Sequence, residues 1–268
     1  MRKALTLLTA LALLISCVGA MAETEIIVFA AASMTETLTD IAGRYMAAHP
    51  DVTVTCNFDS SGTLKTQIQE GAPCDLFISA AKKQMDQLDI NASAGVNTEG
   101  LDFVDRATRV NLLENKVTLA VPEGNPRDVE GFDQLAELLR NGDILLAVGN
   151  SDVPVGQYTQ KIFEFYGIDE AEISGKLTYG SNVKEVATQV AEHSVDCGVI
   201  YGTDASSAGL IVVDEATEAM YGGKVVYPAA VLKTAENPLA AWDFLAYLQT
   251  DACAEIFASV GFTPLCHE

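Results

Sequence analysis

Short apolar runs alternate with stretches of helical period along most of the chain. Residues 25–30 are β-branched and apolar and precede an amphipathic stretch that ends at Ala48. Residues 52–58 alternate as a strand, residues 63–70 follow as a helix, and residues 75–79 form a third strand. This βαβα rhythm predicts a parallel, doubly wound sheet. It relaxes over residues 90–102, where Asn, Ser, Gly and Thr predict a surface loop, and then restarts. Strands are predicted at 117–121, 144–148, 197–201, 210–213 and 225–232, and helices at 132–140, 156–166, 183–193, 238–249 and 251–259. So many strands fit two α/β lobes better than one sheet.

The N-terminus breaks the rhythm. Met1-Arg2-Lys3 is a short positive start, and residues 4–15 are an apolar run too short for the ~20 residues that span a bilayer, which predicts an export signal. Ala20-Met21-Ala22 reads as a cleavage site before Glu23. Leu14-Ile15-Ser16-Cys17 resembles the lipobox of bacterial lipoproteins and is the alternative, with a lipid anchor at Cys17. Cleavage after Ala22 is preferred, because Cys17 has almost no tether before the first strand. Either exit puts the mature protein in the periplasm or another extracytoplasmic space.

Export permits disulfides, and five cysteines follow residue 22: Cys56, Cys74, Cys197, Cys253 and Cys266. Cys56–Cys74 and Cys253–Cys266 are the expected pairs, and Cys197, in an apolar run, is expected to be a small buried hydrophobe. Unpaired thiols throughout are the alternative.

Charge narrows the function. With 37 acidic and 16 basic residues the chain carries −21, which leaves no basic surface for a phosphate backbone, so nucleic-acid binding is not expected. No Gly-x-Gly-x-x-Gly follows the first strand, and neither a Walker A loop nor a Gly-x-Ser-x-Gly elbow occurs. The three histidines, His49, His193 and His267, stand in a turn, at a helix end and beside the terminus. No Cys/His spacing suggests a metal site, and no cofactor is expected.

Small, neutral, hydrogen-bonding turns stand instead where strands give way to helices. Ala30-Ala31-Ala32-Ser33 and Ser60-Ser61-Gly62-Thr63 follow the first two strands, and Pro154-Val155-Gly156 and Ser181-Asn182-Val183 open two later helices. Each is an ordinary N-cap by itself. Four of them at the C-terminal ends of strands, where open α/β sheets bind ligands, point to oxyanion binding by helix N–H groups and hydroxyls without a cation.

The same residues carry a family resemblance. Ile27-Val28-Phe29-Ala30-Ala31-Ala32-Ser33-Met34-Thr35, Asn57-Phe58-Asp59-Ser60-Ser61-Gly62-Thr63-Leu64 and Gly71-Ala72-Pro73-Cys74-Asp75-Leu76-Phe77-Ile78-Ser79-Ala80 resemble the periplasmic molybdate-binding proteins of molybdate ABC transporters. The likeness continues through Leu146-Ala147-Val148-Gly149, Val153-Pro154-Val155-Gly156, Gly198-Val199-Ile200-Tyr201-Gly202-Thr203-Asp204-Ala205, Tyr227-Pro228, Ala254-Glu255-Ile256-Phe257 and Gly261-Phe262. It implies a class II solute-binding fold: two lobes, each a mostly parallel sheet flanked by helices, with a ligand cleft between them and two crossing strands. Residues 1–22 are then the signal, 23–115 with 229–268 lobe 1, and 116–228 lobe 2.

The resemblance also implies the ligand set: the hydroxyls of Ser33, Ser61 and Tyr201, and the main-chain N–H groups of Val155 and Val183. The expected function is capture of molybdate, and of tungstate, by a monomer that delivers it to a membrane ABC permease; it is not an enzyme. Sulfate is also a tetrahedral dianion, so cavity size must exclude it. Phosphate keeps a proton near neutral pH, which a donor-only site leaves unpaired. A sulfate or phosphate receptor is the same-class alternative, and a secreted hydrolase with Ser33 or Ser61 as nucleophile is the rival from another class. Asp59 and the 91–101 loop depart from the family pattern; Asp59 is expected to cap the following helix or pair with Lys65.

Overall fold

A computed structural model describes residues 24–265. The expected export segment, Cys17, Cys266 and His267 lie outside the described residues. No described helix is long and apolar enough to cross a membrane.

The first lobe is built on β1 (Thr24–Ala31), β2 (Val52–Asp59), β3 (Leu76–Ile78), β4 (Val110–Asn115), β10 (Val225–Val231) and β11 (Thr263–Pro264), in the order β11-β4-β10-β3-β1-β2. The second is built on β5 (Val117–Val121), β6 (Leu146–Gly149), β7 (Leu177–Gly180), β8 (Cys197–Tyr201) and β9 (Ile211–Glu215), in the order β7-β6-β8-β5-β9. Strand β1 is buried from Val28 onward because β2 and β3 flank it in parallel and helices cover the sheet. The helix α1 (Thr35–Ala48) turns Leu38, Ile41, Ala42 and Tyr45 inward, the i, i+3, i+4, i+7 stripe of a half-buried helix. Next, α2 (Ser61–Gln69) starts at the cap Ser60, whose Oγ accepts the Thr63 N–H at 3.1 Å. It is followed by α3 (Lys82–Gln87).

The second lobe repeats the plan with α4 (Phe132–Asn141), α5 (Pro154–Tyr166), α6 (Val183–Ala191), α7 (Gly202–Ser207) and α8 (Glu218–Tyr221). After β10 come α9 (Pro238–Leu248) and α10 (Asp251–Ser259), back in the first lobe beside α1 and β10, and then β11.

The sheets are mixed rather than mostly parallel. Parallel pairing holds for β2-β1-β3 and β7-β6-β8, but β10 runs antiparallel to β3 and β4, and β5 antiparallel to β8 and β9. Connectivity explains this. Only Lys116 separates β4 from β5, so the chain passes straight from one sheet into the other, and β10 brings it back. A strand entering a sheet from the other lobe meets its neighbours reversed.

The Cys56–Cys74 pair does not form. Cys56 lies on β2 opposite Val28 of β1, which on its other side pairs with Leu76, two residues beyond Cys74. With β1 between them the two cysteines are separated by at least two interstrand spacings, about 9.6 Å or more, beyond disulfide reach. Both are free thiols, and the Cys74 Sγ donates to the Leu76 carbonyl at 3.4 Å. Cys197 is fully buried, and burial pushes its thiol up to about 12, as suits a small core hydrophobe. Cys253 is also a free thiol in the structure, and its expected partner lies outside the described residues.

Candidate functional site

The strand-to-helix turns of both lobes converge on one small hollow, about 200 Å³ counting all the space between atoms. The first lobe lines it with Ala31, Ala32 and Ser33 after β1, Asp59, Ser60 and Ser61 after β2, and Ala80 after β3. The second lobe adds Val153 and Pro154, Val183 and Tyr201. Four of the five residues singled out in the sequence therefore line one space. Val155 is the exception: Val153 and Pro154 form that wall, and the Val155 side chain is fully buried in the second lobe. Any part it takes in the site would fall to its main-chain N–H. Ala80 was in none of the candidate turns; like Ala31 and Ala32, its small side chain lets backbone approach the space.

Hydroxyls and helix N–H groups stand around the hollow, with the Asp59 carboxylate among them. The Ser61 Oγ accepts the Ala80 N–H at 2.9 Å, so its own proton remains to be donated. The Ser33 Oγ lies 2.8 Å from the Tyr227 hydroxyl. The Tyr201 hydroxyl is buried with no partner among the described residues. Burial raises its pKa well above the ordinary phenol value, so it stays a protonated donor. Val155 and Val183 stand in the first turns of α5 and α6, where N–H groups have no intrahelical acceptor and the helix dipole is positive. No lysine or arginine lines the space.

The lobes touch across it. A Cβ on Gly62, in the first turn of α2, would fall 2.3 Å from the main-chain oxygen of Asp152 in the other lobe. Asn182, the cap of α6, reaches Asp59 Oδ1 at 3.5 Å, and Lys184 reaches Glu36 of α1 at 2.7 Å. This corrects the roles expected for Asp59. Ser60 caps the helix, Lys65 bonds Gln69, and Asp59 Oδ1 instead accepts the Ser60 N–H at 2.6 Å beside the interlobe contact. The 91–101 loop is tied to its own lobe: Asn97 bonds the Asp89 and Leu101 carbonyls, and Glu99 takes Gln69.

Lys184 also lies 3.3 Å from Asp204, whose carboxylate is fully buried and has no other close polar partner among the described residues. Burial, opposed by Lys184, pushes the Asp204 carboxyl up to about 6. The folded protein then holds this proton at a pH where the unfolded chain, with a pKa near 3.9, has released it. The contribution is therefore full below about pH 4 and is lost as pH rises to about 6. We expect the melting temperature of the wild type, measured against that of Asp204→Asn, to fall over that window and stay level above it. A flat difference from pH 4 to 7 would mean that Asp204 is ionised throughout.

Among the described residues neither serine is hydrogen-bonded to a base. Their partners are Tyr227 and the Ala80 N–H, while the His49 ring bonds the Tyr45 carbonyl and stacks on Tyr45 at 4.1 Å. No three metal-ligating side chains cluster among the described residues.

Two mixed α/β lobes, joined by crossing strands and enclosing a hollow lined by donors, define a two-lobed binding protein. The chain belongs to the bacterial extracellular solute-binding protein family, whose model matches residues 26–263. It is 35% identical over 246 residues to the molybdate-binding protein ModA of Escherichia coli (strain K12), covering 90% of each chain. Its fold matches the periplasmic molybdate-binding protein of Azotobacter vinelandii with a TM-score of 0.73 at 21% identity, over 89% of this chain and 98% of that one. It also matches the sulfate-binding protein SubI of Mycobacterium tuberculosis H37Rv, with a TM-score of 0.70 at 18% identity, over 90% and 87%.

Proposed function

We propose that this protein captures molybdate, and tungstate with it, in the interlobe hollow and delivers it to a membrane ABC permease. Ser33, Ser61, Tyr201 and the N–H groups of Val155 and Val183 are the donors. The observation that carries this reading is the buried Tyr201 hydroxyl, left without a partner among the described residues in a hollow it shares with Ser33 and with Ser61, whose oxygen accepts a main-chain N–H and so keeps its proton for a ligand. An unpaired buried hydroxyl costs about 1–3 kcal/mol, and an acceptor-only oxyanion removes that cost. Relatedness to ModA supports molybdate as that oxyanion. A serine hydrolase would need a base on Ser33 or Ser61, and their protein partners are not bases.

Calorimetric titration with molybdate, tungstate, sulfate and phosphate tests the proposal. Molybdate at a thousandfold excess over Kd should stabilise the protein by about 4 kcal/mol, with sulfate far behind at equal concentration. Ser33→Ala and Ser61→Ala should each weaken molybdate about 10- to 150-fold through loss of a bond to a charged group, with Val155→Ala nearly silent. A wild-type chain that ignores molybdate, or a Val155→Ala loss equal to the serine losses at unchanged apo stability, would overturn the ligand or the backbone donor respectively.

A further inference from the structure

The direction of the hydrogen bond between Ser33 and Tyr227 is settled by residues outside the hollow. Asn115 ends β4, next to the crossing into the second lobe, and its Oδ1 accepts the Lys116 N–H at 2.8 Å. A main-chain N–H only donates, so the amide oxygen must face it. The Nδ2 hydrogens then go to the Thr203 Oγ1 at 2.9 Å and to the Tyr227 hydroxyl at 3.2 Å. The buried Tyr227 hydroxyl accepts from Asn115 and has, among the described residues, no acceptor for its own proton other than Ser33, so it donates to Ser33. Asn115, Thr203, Tyr227 and Ser33 are all buried. The Ser33 proton meets no other protein acceptor among the described residues and is left for the hollow that Ser33 lines.

We infer that Asn115 and Tyr227 are positioning residues that lock the Ser33 hydroxyl as a donor, so that the site takes proton-free oxyanions and refuses those that still carry a proton. This rests on the oxyanion reading above and names what sets its selectivity. Were the relay reversed, Ser33 would give its proton to Tyr227 and show a lone pair to the hollow, where the hydroxyl of hydrogen phosphate would find its acceptor. Among the described residues Asp59 is the only carboxylate lining the hollow, and its Oδ1 is engaged by the Ser60 N–H and Asn182. It is the competing acceptor that the experiment must separate from the relay.

The test is titration of the whole mature protein with molybdate and with inorganic phosphate near pH 8, for wild type, Asn115→Asp and Tyr227→Phe. Asn115→Asp keeps the shape but replaces the donor to Tyr227 with an acceptor. Molybdate should weaken about 10- to 150-fold, and phosphate less or not at all, so the ratio of the two affinities shrinks. The new charge repels both dianions alike and cancels in that ratio. Tyr227→Phe removes the donor to Ser33 without adding charge, should shrink the ratio in the same direction, and carries the test should Asn115→Asp not fold.

Equal loss of both anions in the two variants, with an unchanged ratio, would overturn the relay and leave these residues a structural role only. Wild type that binds phosphate as tightly as molybdate, and loses phosphate alone in Asp59→Asn, would overturn it in favour of Asp59. A wild type that takes sulfate but not molybdate would overturn the molybdate proposal instead; sulfate, also proton-free, then replaces molybdate in the ratio, and the same shrinkage supports the relay.

Discussion

Tyr201→Phe is expected to stabilise the ligand-free protein while weakening molybdate binding, two effects of opposite sign from one oxygen atom. The hydroxyl is buried without a partner, so its removal should return about 1–3 kcal/mol, a melting temperature higher by a few degrees. The ring itself, fully buried and 6.0 Å edge-on from Tyr227, keeps its packing in the variant. The ligand loses a bond worth about 1.5–3 kcal/mol when the partner is charged, so molybdate should weaken about 10- to 150-fold. Thermal unfolding without ligand and calorimetry with it read the two effects separately. A lower apo melting temperature would mean that the hydroxyl has a partner in solution, and an unchanged affinity would remove Tyr201 from the donor set.

Gly62→Ala should separate folding from closure in the same way. Gly62 lies in the first turn of α2, where alanine is favoured over glycine by about 0.5–1 kcal/mol, so the ligand-free chain should be at least as stable as wild type. In the closed arrangement the added Cβ lies 2.3 Å from the Asp152 carbonyl oxygen and 2.9 Å from its Cβ. Main chain cannot swing aside as a flexible side chain does, so the lobes must part. Overpacking of this kind costs about 1–3 kcal/mol, which is a loss of about 5- to 150-fold in molybdate affinity. Wild-type affinity in Gly62→Ala would mean that the ligand is held without this contact between the lobes.

Asp59 illustrates where local reading stops. In the sequence it stands next to a helix start, which suggests a cap, and six residues before a lysine, which suggests an ion pair. The fold gives the cap to Ser60 and turns Lys65 toward Gln69, because the helix begins one residue later and carries Lys65 along its own surface. What Asp59 touches is Asn182, 123 positions away in the other lobe. The cysteines repeat the lesson. Cys56 and Cys74 belong to strands consecutive in the chain, but β1 is inserted between those strands in the sheet, and no spacing in a sequence records an intervening strand.

Several elements were legible because burial on one face leaves a period. Phe132, Leu135, Ala136 and Leu139 announce α4, and the alternation from Val52 announces β2. Strand β4 was not legible: its apolar Leu112 and Leu113 are adjacent, so neither a strand nor a helix period emerges. Strand β7 was missed because it is a sheet edge with Thr178 and Tyr179 exposed.

The sequence by itself determined the α/β rhythm, the two-lobed class and the small polar turns at strand ends. These are local properties: each follows from side chains within a few residues of one another, and the family motifs are made of such stretches. Tertiary structure alone decided strand direction, since a buried strand shows the same pattern whether its neighbours run with it or against it. It alone decided the polarity of the site as well. Ser33 meets Tyr227 across 194 positions, and Asn115 meets Tyr227 across 112 and Thr203 across 88. A hydroxyl can give or take a hydrogen bond, and which it does is set by partners that only the folded chain brings within 3 Å or so of it.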